Sequence, residues 1–218
     1  MASAQVQLPH NLHAILKEGD SQIDASCDNL IEQLQGGIFL NQNKLASNIF
    51  IKFWVDRLLC ANAFDIHARG LSITWGDDKR YWNWTYKPDT QRCVQVEVAE
   101  LLNVCWLDVS KKFPAKNLTP GIVYQVSFVL MMKNGECGFA NHPVNLKLVI
   151  PNYHETIERK EDLSKLPKNK WSEVRIGEFL TSCNMTGDME ISMFEHESQW
   201  KSGLVVDKIV IHPVRRQN

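Results

Sequence analysis

The stretch Leu71-Ser-Ile-Thr-Trp75-Gly-Asp-Asp-Lys-Arg80-Tyr-Trp-Asn-Trp-Thr-Tyr86 packs three of the chain's seven tryptophans and two of its four tyrosines into sixteen residues. Strand-forming residues flank the polar turn Gly76–Arg80, so the stretch reads as a β-hairpin with arms Leu71–Trp75 and Tyr81–Tyr86. Alternation in the second arm separates Trp82 and Trp84 from Tyr81 and Asn83. One face must pack inward, and the other, or the rim beside the turn, exposes aromatic rings. Core packing is the ordinary fate of a strand tryptophan. Flat aromatic faces beside acids and amides also suit a sugar ring, whose C–H groups stack while its hydroxyls bond to polar neighbours. Loop register decides whether Trp75 shares a face with Trp82, and the sequence leaves that open.

Outward from this stretch, the chain from Phe64 on is a series of short alternating runs with turns between them, the pattern of a β-sandwich or barrel. Val94, Val96 and Val98 alternate with Gln95 and Glu97. Leu102–Val109 is apolar on both faces and reads as a central strand. Leu118-Thr-Pro-Gly121 is a turn, and Tyr124, Val126, Phe128 and Leu130 form the cleanest alternating run. Lys133-Asn-Gly135 signals another turn. Val144–Ile150, Trp171–Leu180, Met189–Met193 and Leu204–Ile211 complete about nine strands. The charged stretch 152–170 shows no strand pattern and reads as a long surface loop.

The first sixty residues differ in character. Residues 1–26 read as a flexible extension. Asn29-Leu-Ile-Glu32 has the form of a capping box opening a short helix that Gly36-Gly37 ends. A second helix is expected over Asn43–Ala61, where Leu45, Ile49 and Phe53 recur every four residues; Ile49–Phe53 also alternates as a strand would. The expected organisation is a partly helical extension over residues 1–60 and a β domain over 61–218.

A formal net charge of -1 removes any global attraction to nucleic acid or anionic membrane. No apolar run is long enough to span a bilayer. The N-terminus lacks a basic, then apolar, secretory pattern, so a cytoplasmic protein with unglycosylated sequons at Asn83, Asn117 and Asn184 is expected. The six cysteines form no Cys-x-x-Cys pair and have no histidine at metal-ligand spacing, so no metal or cofactor is expected. Cys93 and Cys105 read as core residues. Cys27, Cys137 and Cys183, near polar or glycine-containing stretches, read as exposed thiols able to cross-link to partners. No nucleophile elbow, phosphate loop or dinucleotide fingerprint is present. Glu173 and Glu178 set against Asp77, Asp78 and Glu97 leave a glycosidase pair as an open alternative.

The run Ala68-Arg-Gly-Leu-Ser-Ile-Thr-Trp75-Gly-Asp-Asp78 with Tyr81-Trp-Asn-Trp84 resembles the signature of the phloem protein 2 lectins, the family that includes Nictaba-type domains. Further matches follow in family order: Leu101-Leu-Asn-Val-Cys-Trp-Leu107, Leu118-Thr-Pro-Gly121, Trp171-Ser-Glu-Val174, Gly177-Glu-Phe179 and Trp200-Lys-Ser-Gly-Leu-Val-Val206. The resemblance covers about residues 64–214 and, with the N-terminal extension, is greatest to the cucurbit type. It implies a jelly-roll-like β-sandwich that binds oligomers of N-acetylglucosamine without changing them. Binding roles carry over to Trp75 and Trp82 as stacking residues and to Glu178 as a hydrogen-bond acceptor; Tyr81 and Trp84 join them by position. Trp106, Trp171 and Trp200 are assigned to the core. The resemblance also implies a phloem protein of companion cells and sieve elements, a homodimer, disulfide linkage to filament proteins and association with RNA. The alternative function is a structural or RNA-associated protein cross-linked through its cysteines.

Overall fold

The computed structural model describes residues 8–18, 30–40, 51–89, 94–151 and 155–215. Among them are two short helices, α1 (Leu12–Glu18) and α2 (Leu30–Gln35), and thirteen strands. The strands are β1 (Ile38–Leu40), β2 (Ile51–Asp56), β3 (Ala61–His67), β4 (Ser72–Ile73), β5 (Trp82–Asp89), β6 (Val94–Leu101), β7 (Leu107–Pro114), β8 (Val123–Cys137), β9 (Val144–Ile150), β10 (Glu155–Glu161), β11 (Trp171–Leu180), β12 (Asp188–Glu195) and β13 (Ser202–Val214). They form two antiparallel sheets, so the mainly β sandwich expected from the alternation is the observed architecture.

The larger sheet forks around β13. One edge of β13 pairs along its length with β8, which pairs with β11. The other edge is shared: Val205 and Val206 pair with β6, and Lys208–Ile211 pair with β3. From β6 the sheet continues to β5, and from β3 to β2 and β1. The smaller sheet runs β10-β9-β12-β7-β4. Strict alternation faces the two sheets toward each other: Leu146 and Leu148 of β9 and Met189, Ile191 and Met193 of β12 are buried, as are Val126, Phe128 and Leu130 of β8.

Several expectations are corrected. Leu71–Trp75 and Tyr81–Tyr86 are not arms of one hairpin. Ser72 and Ile73 pair with β7 in the smaller sheet, whereas Trp82–Asp89 pair with β6 in the larger. The turn between them therefore bridges the two layers. The expected helix over Asn43–Ala61 is replaced by β2 from Ile51 on: Phe53 and Val55 face inward at period two, Ile51–Phe53 pair with β1, and the whole strand pairs with β3; residues 43–50 lie outside the described residues. The expected flexible extension contains α1, whose Leu12, Ile15 and Leu16 join the core. Gly36 and Gly37 do terminate α2, with Gly37 at φ 77. The capping residue Asn29 lies outside the described residues.

Residues 102–106 are not strand: Val104 makes an isolated bridge to Lys201, and β7 begins at Leu107. Lys133-Asn-Gly135 is no turn, since β8 continues through it to Cys137. The charged stretch after Pro151 holds an edge strand, β10, in full antiparallel register with β9. Its charged residues suit an unpaired edge, where they discourage further strand addition. Among the described residues from Ala61 on there are eleven strands rather than about nine, the additions being β3 and β10.

Candidate functional site

The bridge between the sheets is built around one residue in an unusual conformation. Trp75 has φ 58, in the left-handed region that bulky side chains seldom adopt. Its neighbours are clamped on both sides. The Trp82 indole N–H donates to the Thr74 carbonyl at 3.0 Å, and the Trp84 indole N–H donates to the Gly76 carbonyl at 2.7 Å. The backbone amides of Gly76 and Asp78 close successive turns onto the carbonyls of Ile73 and Trp75. With both flanking carbonyls held, the Trp75 side chain is thrown outward and is 47% exposed. One side of it rests against Tyr81, ring centroids 5.1 Å apart.

The two clamping tryptophans are not open to a ligand. Trp82 is 1% exposed. Trp84 is half-buried, and the Arg69 guanidinium covers its ring at 3.5 Å. Arg69 is itself fixed by a two-pronged ion pair to Glu97, both contacts 2.8 Å. The stacking role expected of Trp82 is thus corrected, and Trp84, a candidate by position, has its ring covered by Arg69: both hold the Trp75 segment from beneath. At the turn, Asp78 accepts a fork of hydrogen bonds from Arg80, which holds its carboxyl below the usual carboxylate range. Asp77 beside it is fully exposed, with only a long 3.8 Å contact to the Arg69 guanidinium. The turn therefore offers one committed and one open carboxylate next to two aromatic rings.

A second pair of aromatic residues lies at the same end. Thr74 donates its backbone N–H to the Asp108 carbonyl, so the Trp75 segment leaves the smaller sheet beside the start of β7. Just before β7, Trp106 stacks flat on His196, centroids 3.8 Å apart and planes 9° apart. His196 Nε2 lies 3.1 Å from the Asp108 carboxylate. Trp106 is 45% exposed and Trp200 52%. Their assignment to the core is corrected, as is that of Trp171, which is half-exposed on the larger sheet. The segment 102–106 is strung between neighbours: the Leu102 amide donates to the Tyr81 carbonyl, and Val104 pairs with Lys201.

Lys201 anchors this arrangement. It is fully buried, donates at 2.7 Å to the carbonyls of both Cys105 and Gln199, and pairs with the buried Glu195 carboxylate. Trp106 and Trp200 each adjoin one of those carbonyls in sequence, so a single ammonium fixes both loops.

Glu178 is not part of this cluster. Asn83, Glu100, Val205, Met131 and Trp171 form one row across the larger sheet, whereas Glu178 pairs with Gln125. Six residues along β8 separate the rows, about 20 Å at the strand rise of roughly 3.3 Å per residue. Glu178 instead pairs with Arg175 at 3.0 Å. The structure brings Trp75 and Tyr81 together with Trp82 and Trp84 behind them, and leaves Glu178 apart.

The model of the phloem protein 2 family matches residues 61–213. The chain belongs to the phloem protein 2 family. It is 43% identical over 215 residues to Protein PHLOEM PROTEIN 2-LIKE A1 of Arabidopsis thaliana, spanning 98% of this chain and 84% of that one. A protein of Luffa acutangula named Lectin is 36% identical over 216 residues and covered to 98% in both chains. A second protein named Lectin, from Coccinia grandis, is 29% identical over 173 residues, which cover 79% of this chain and 99% of that one.

In this phloem protein 2 chain the residues that sequence reasoning misplaced carried a signal. Leu102–Val109 is apolar on both alternating faces, more than a strand between two polar neighbours requires. Trp200 sits between Glu197-Ser-Gln199 and Lys201-Ser-Gly203, a loop composition. Of the cysteines expected to be exposed, Cys137 and Cys183 are, and so is Cys60; Cys105 is half-buried in the loop rather than in a strand. Cys27 and Cys93 lie outside the described residues.

Proposed function

We propose that this protein is a non-catalytic lectin that binds oligomers of N-acetylglucosamine at the aromatic end of the sandwich. The observation that carries the reading is the outward-held Trp75, backed by two indole-to-carbonyl hydrogen bonds and by Tyr81. A ring fixed in this way loses little freedom when a sugar stacks on it, which favours binding. Trp75 and Tyr81 take one sugar ring, and the acids of the turn accept from its hydroxyls. Trp106 and Trp200 extend the apolar surface for further units. The two relatives named Lectin support carbohydrate binding as the activity.

Calorimetric titration of the reduced protein with the trimer of N-acetylglucosamine tests the proposal, with mass spectrometry of the recovered sugar. Saturable heat at up to millimolar sugar, with the trimer intact, is the expected result. No heat would remove the lectin reading, and shortened oligomers would replace it with a glycosidase. The exposed Cys60, Cys137 and Cys183 support a second role, disulfide cross-linking to partner proteins. Non-reducing electrophoresis after mild oxidation tests it: loss of high-mass species when these three are changed to serine is expected.

A further inference from the structure

Trp75 owes its orientation to the hydrogen bonds around it, but Trp106 is held in another way. It ends the loop 102–106, and a half-exposed ring on a loop keeps its side-chain freedom unless something takes one of its faces. No hydrogen bond among the described residues orients its indole, whereas the indoles of Trp82 and Trp84 reach carbonyls. What orients Trp106 is the His196 imidazole, parallel to within 9° at a centroid distance of 3.8 Å. That contact covers one face of the indole and leaves the other for a ligand.

The pairing follows from register. β7 and β12 run antiparallel, with Phe194 opposite Asp108 and Glu195 opposite Leu107. One step further His196 stands opposite Trp106, a cross-strand pair just past the last rung. His196 is itself anchored. Its backbone follows the buried Glu195, whose carboxylate pairs with Lys201. Its Nε2 lies 3.1 Å from Asp108 Oδ2, and the Phe194 ring lies 5.1 Å away, tilted by 34°. A carboxylate only accepts, so Nε2 carries the proton and the imidazole donates.

On the other side of β7, Ile73 pairs with Val109 and the Thr74 N–H donates to the Asp108 carbonyl. His196, Trp106 and the Trp75 turn therefore stand in that order at the ends of the neighbouring strands β12, β7 and β4. Neighbouring strands lie roughly 4.8 Å apart, so an oligomer seated on Trp75 reaches Trp106 with a further unit. A single sugar held by Trp75 and Tyr81 does not need it.

We propose that His196 is a positioning residue that gives the site its preference for oligomers over the single sugar, by holding Trp106 ready as a second stacking plate. The inference rests on the lectin reading of the aromatic end. Without His196, Trp106 has to be ordered when a further sugar unit arrives, and that cost falls on the oligomer alone.

The test is nuclear magnetic resonance of the full-length, isotope-labelled protein, titrated with N-acetylglucosamine and in parallel with its trimer. In the sugar-free protein, His196→Ala is expected to lower the heteronuclear Overhauser effect of the Trp106 indole N–H. His196→Phe, which keeps a flat face, is expected to preserve it. On titration, His196→Ala is expected to weaken the trimer roughly fivefold while the monomer, followed at the Trp75 indole, stays within about twofold. His196→Phe is expected to recover the trimer. Equal weakening of monomer and trimer would mark a merely structural role and overturn the proposal. So would an unchanged trimer affinity or an unchanged Trp106 signal in His196→Ala, or no recovery in His196→Phe. Each of those outcomes leaves the parent's binding at Trp75 in place, whereas no binding of either sugar to the parent removes the lectin reading and this inference with it.

Discussion

Replacing Trp75 and Trp82 separately by alanine divides affinity from stability. Both residues stand in the same sixteen-residue stretch, and a reading from sequence expects both variants to lose binding and keep the fold. The structure separates them. Trp75 is 47% exposed. A tryptophan side chain has roughly 150–250 Å² to bury, so about 100 Å² of ring is open to a ligand. A sugar covering about two-thirds of that removes ~65 Å² of apolar surface from water, worth about 1.5–2 kcal/mol at roughly 25 cal/mol per Å². Trp75→Ala is therefore expected to weaken the trimer of N-acetylglucosamine by roughly 10- to 30-fold. The fold should be little affected, because the lost ring rests mainly on Tyr81. Trp75→Gly should be the more stable variant, since it also relieves the left-handed backbone, a strain of about 1–2 kcal/mol. Trp82→Ala is a different perturbation. It opens a cavity at a fully buried site, costing about 3–5 kcal/mol, and leaves the Thr74 carbonyl without its donor. Against a total stability of about 5–15 kcal/mol for a domain, that shifts the urea midpoint markedly. Calorimetry for affinity and urea unfolding for stability give the two readouts. Affinity within twofold of the parent for Trp75→Ala, or an equal loss of midpoint in both variants, would refute the reasoning.

Three further outcomes are expected. Gly138 has φ 85, and a Cβ there would lie 1.9 Å from the Trp200 carbonyl oxygen; Gly138→Ala should displace the Trp200–Lys201 segment, lower the thermal midpoint and change Trp200 fluorescence. Lys201→Met removes one partner of a buried pair and should cost about 3–5 kcal/mol in urea unfolding, part of which the double variant with Glu195→Gln recovers by removing the stranded charge. Tyr124 donates its O–H to the Asn62 carbonyl, and burial pushes its pKa up to about 12. An unfolded tyrosine ionises near 10, so the unfolded chain releases this proton first. Stability should therefore fall between about pH 10 and 12 by roughly 3 kcal/mol, a slope that Tyr124→Phe abolishes in denaturation at alkaline pH.

The sandwich was legible wherever one face of a strand is buried and the other wet. Val144–Leu148 and Met189–Met193 alternate without a break, and each lies in a strand with its apolar face inward. Legibility failed where that condition fails. β3 is buried on both faces and is followed by the short turn Ala68–Gly70, so it shows no period. Of the residues of β10 described by burial, Ile157 alone is apolar, because an edge strand needs few inward contacts and its charges prevent further pairing. Ile49–Phe53 had two periods superimposed, and from Ile51 on pairing with neighbours on both sides decided for the strand.

The site was legible in its residue types but not in their roles, and the reason lies in how one sheet edge is built. Crowding of tryptophan at 75, 82 and 84 marks the stretch that holds one ring outward. A hairpin would have put these rings on two faces of a single ribbon, with half of them open. The chain instead crosses between layers, so β5 turns Trp82 into the core, and both of its indoles reach back to hold Thr74 and Gly76. Two tryptophans are consumed in presenting one. What completes the surface comes from residues far along the chain, Trp106 and Trp200, brought to the same end by the buried Lys201. No local pattern links positions 75, 106 and 200. The link is an ammonium that must find carbonyls when it is buried, and in this fold those carbonyls adjoin the two exposed tryptophans.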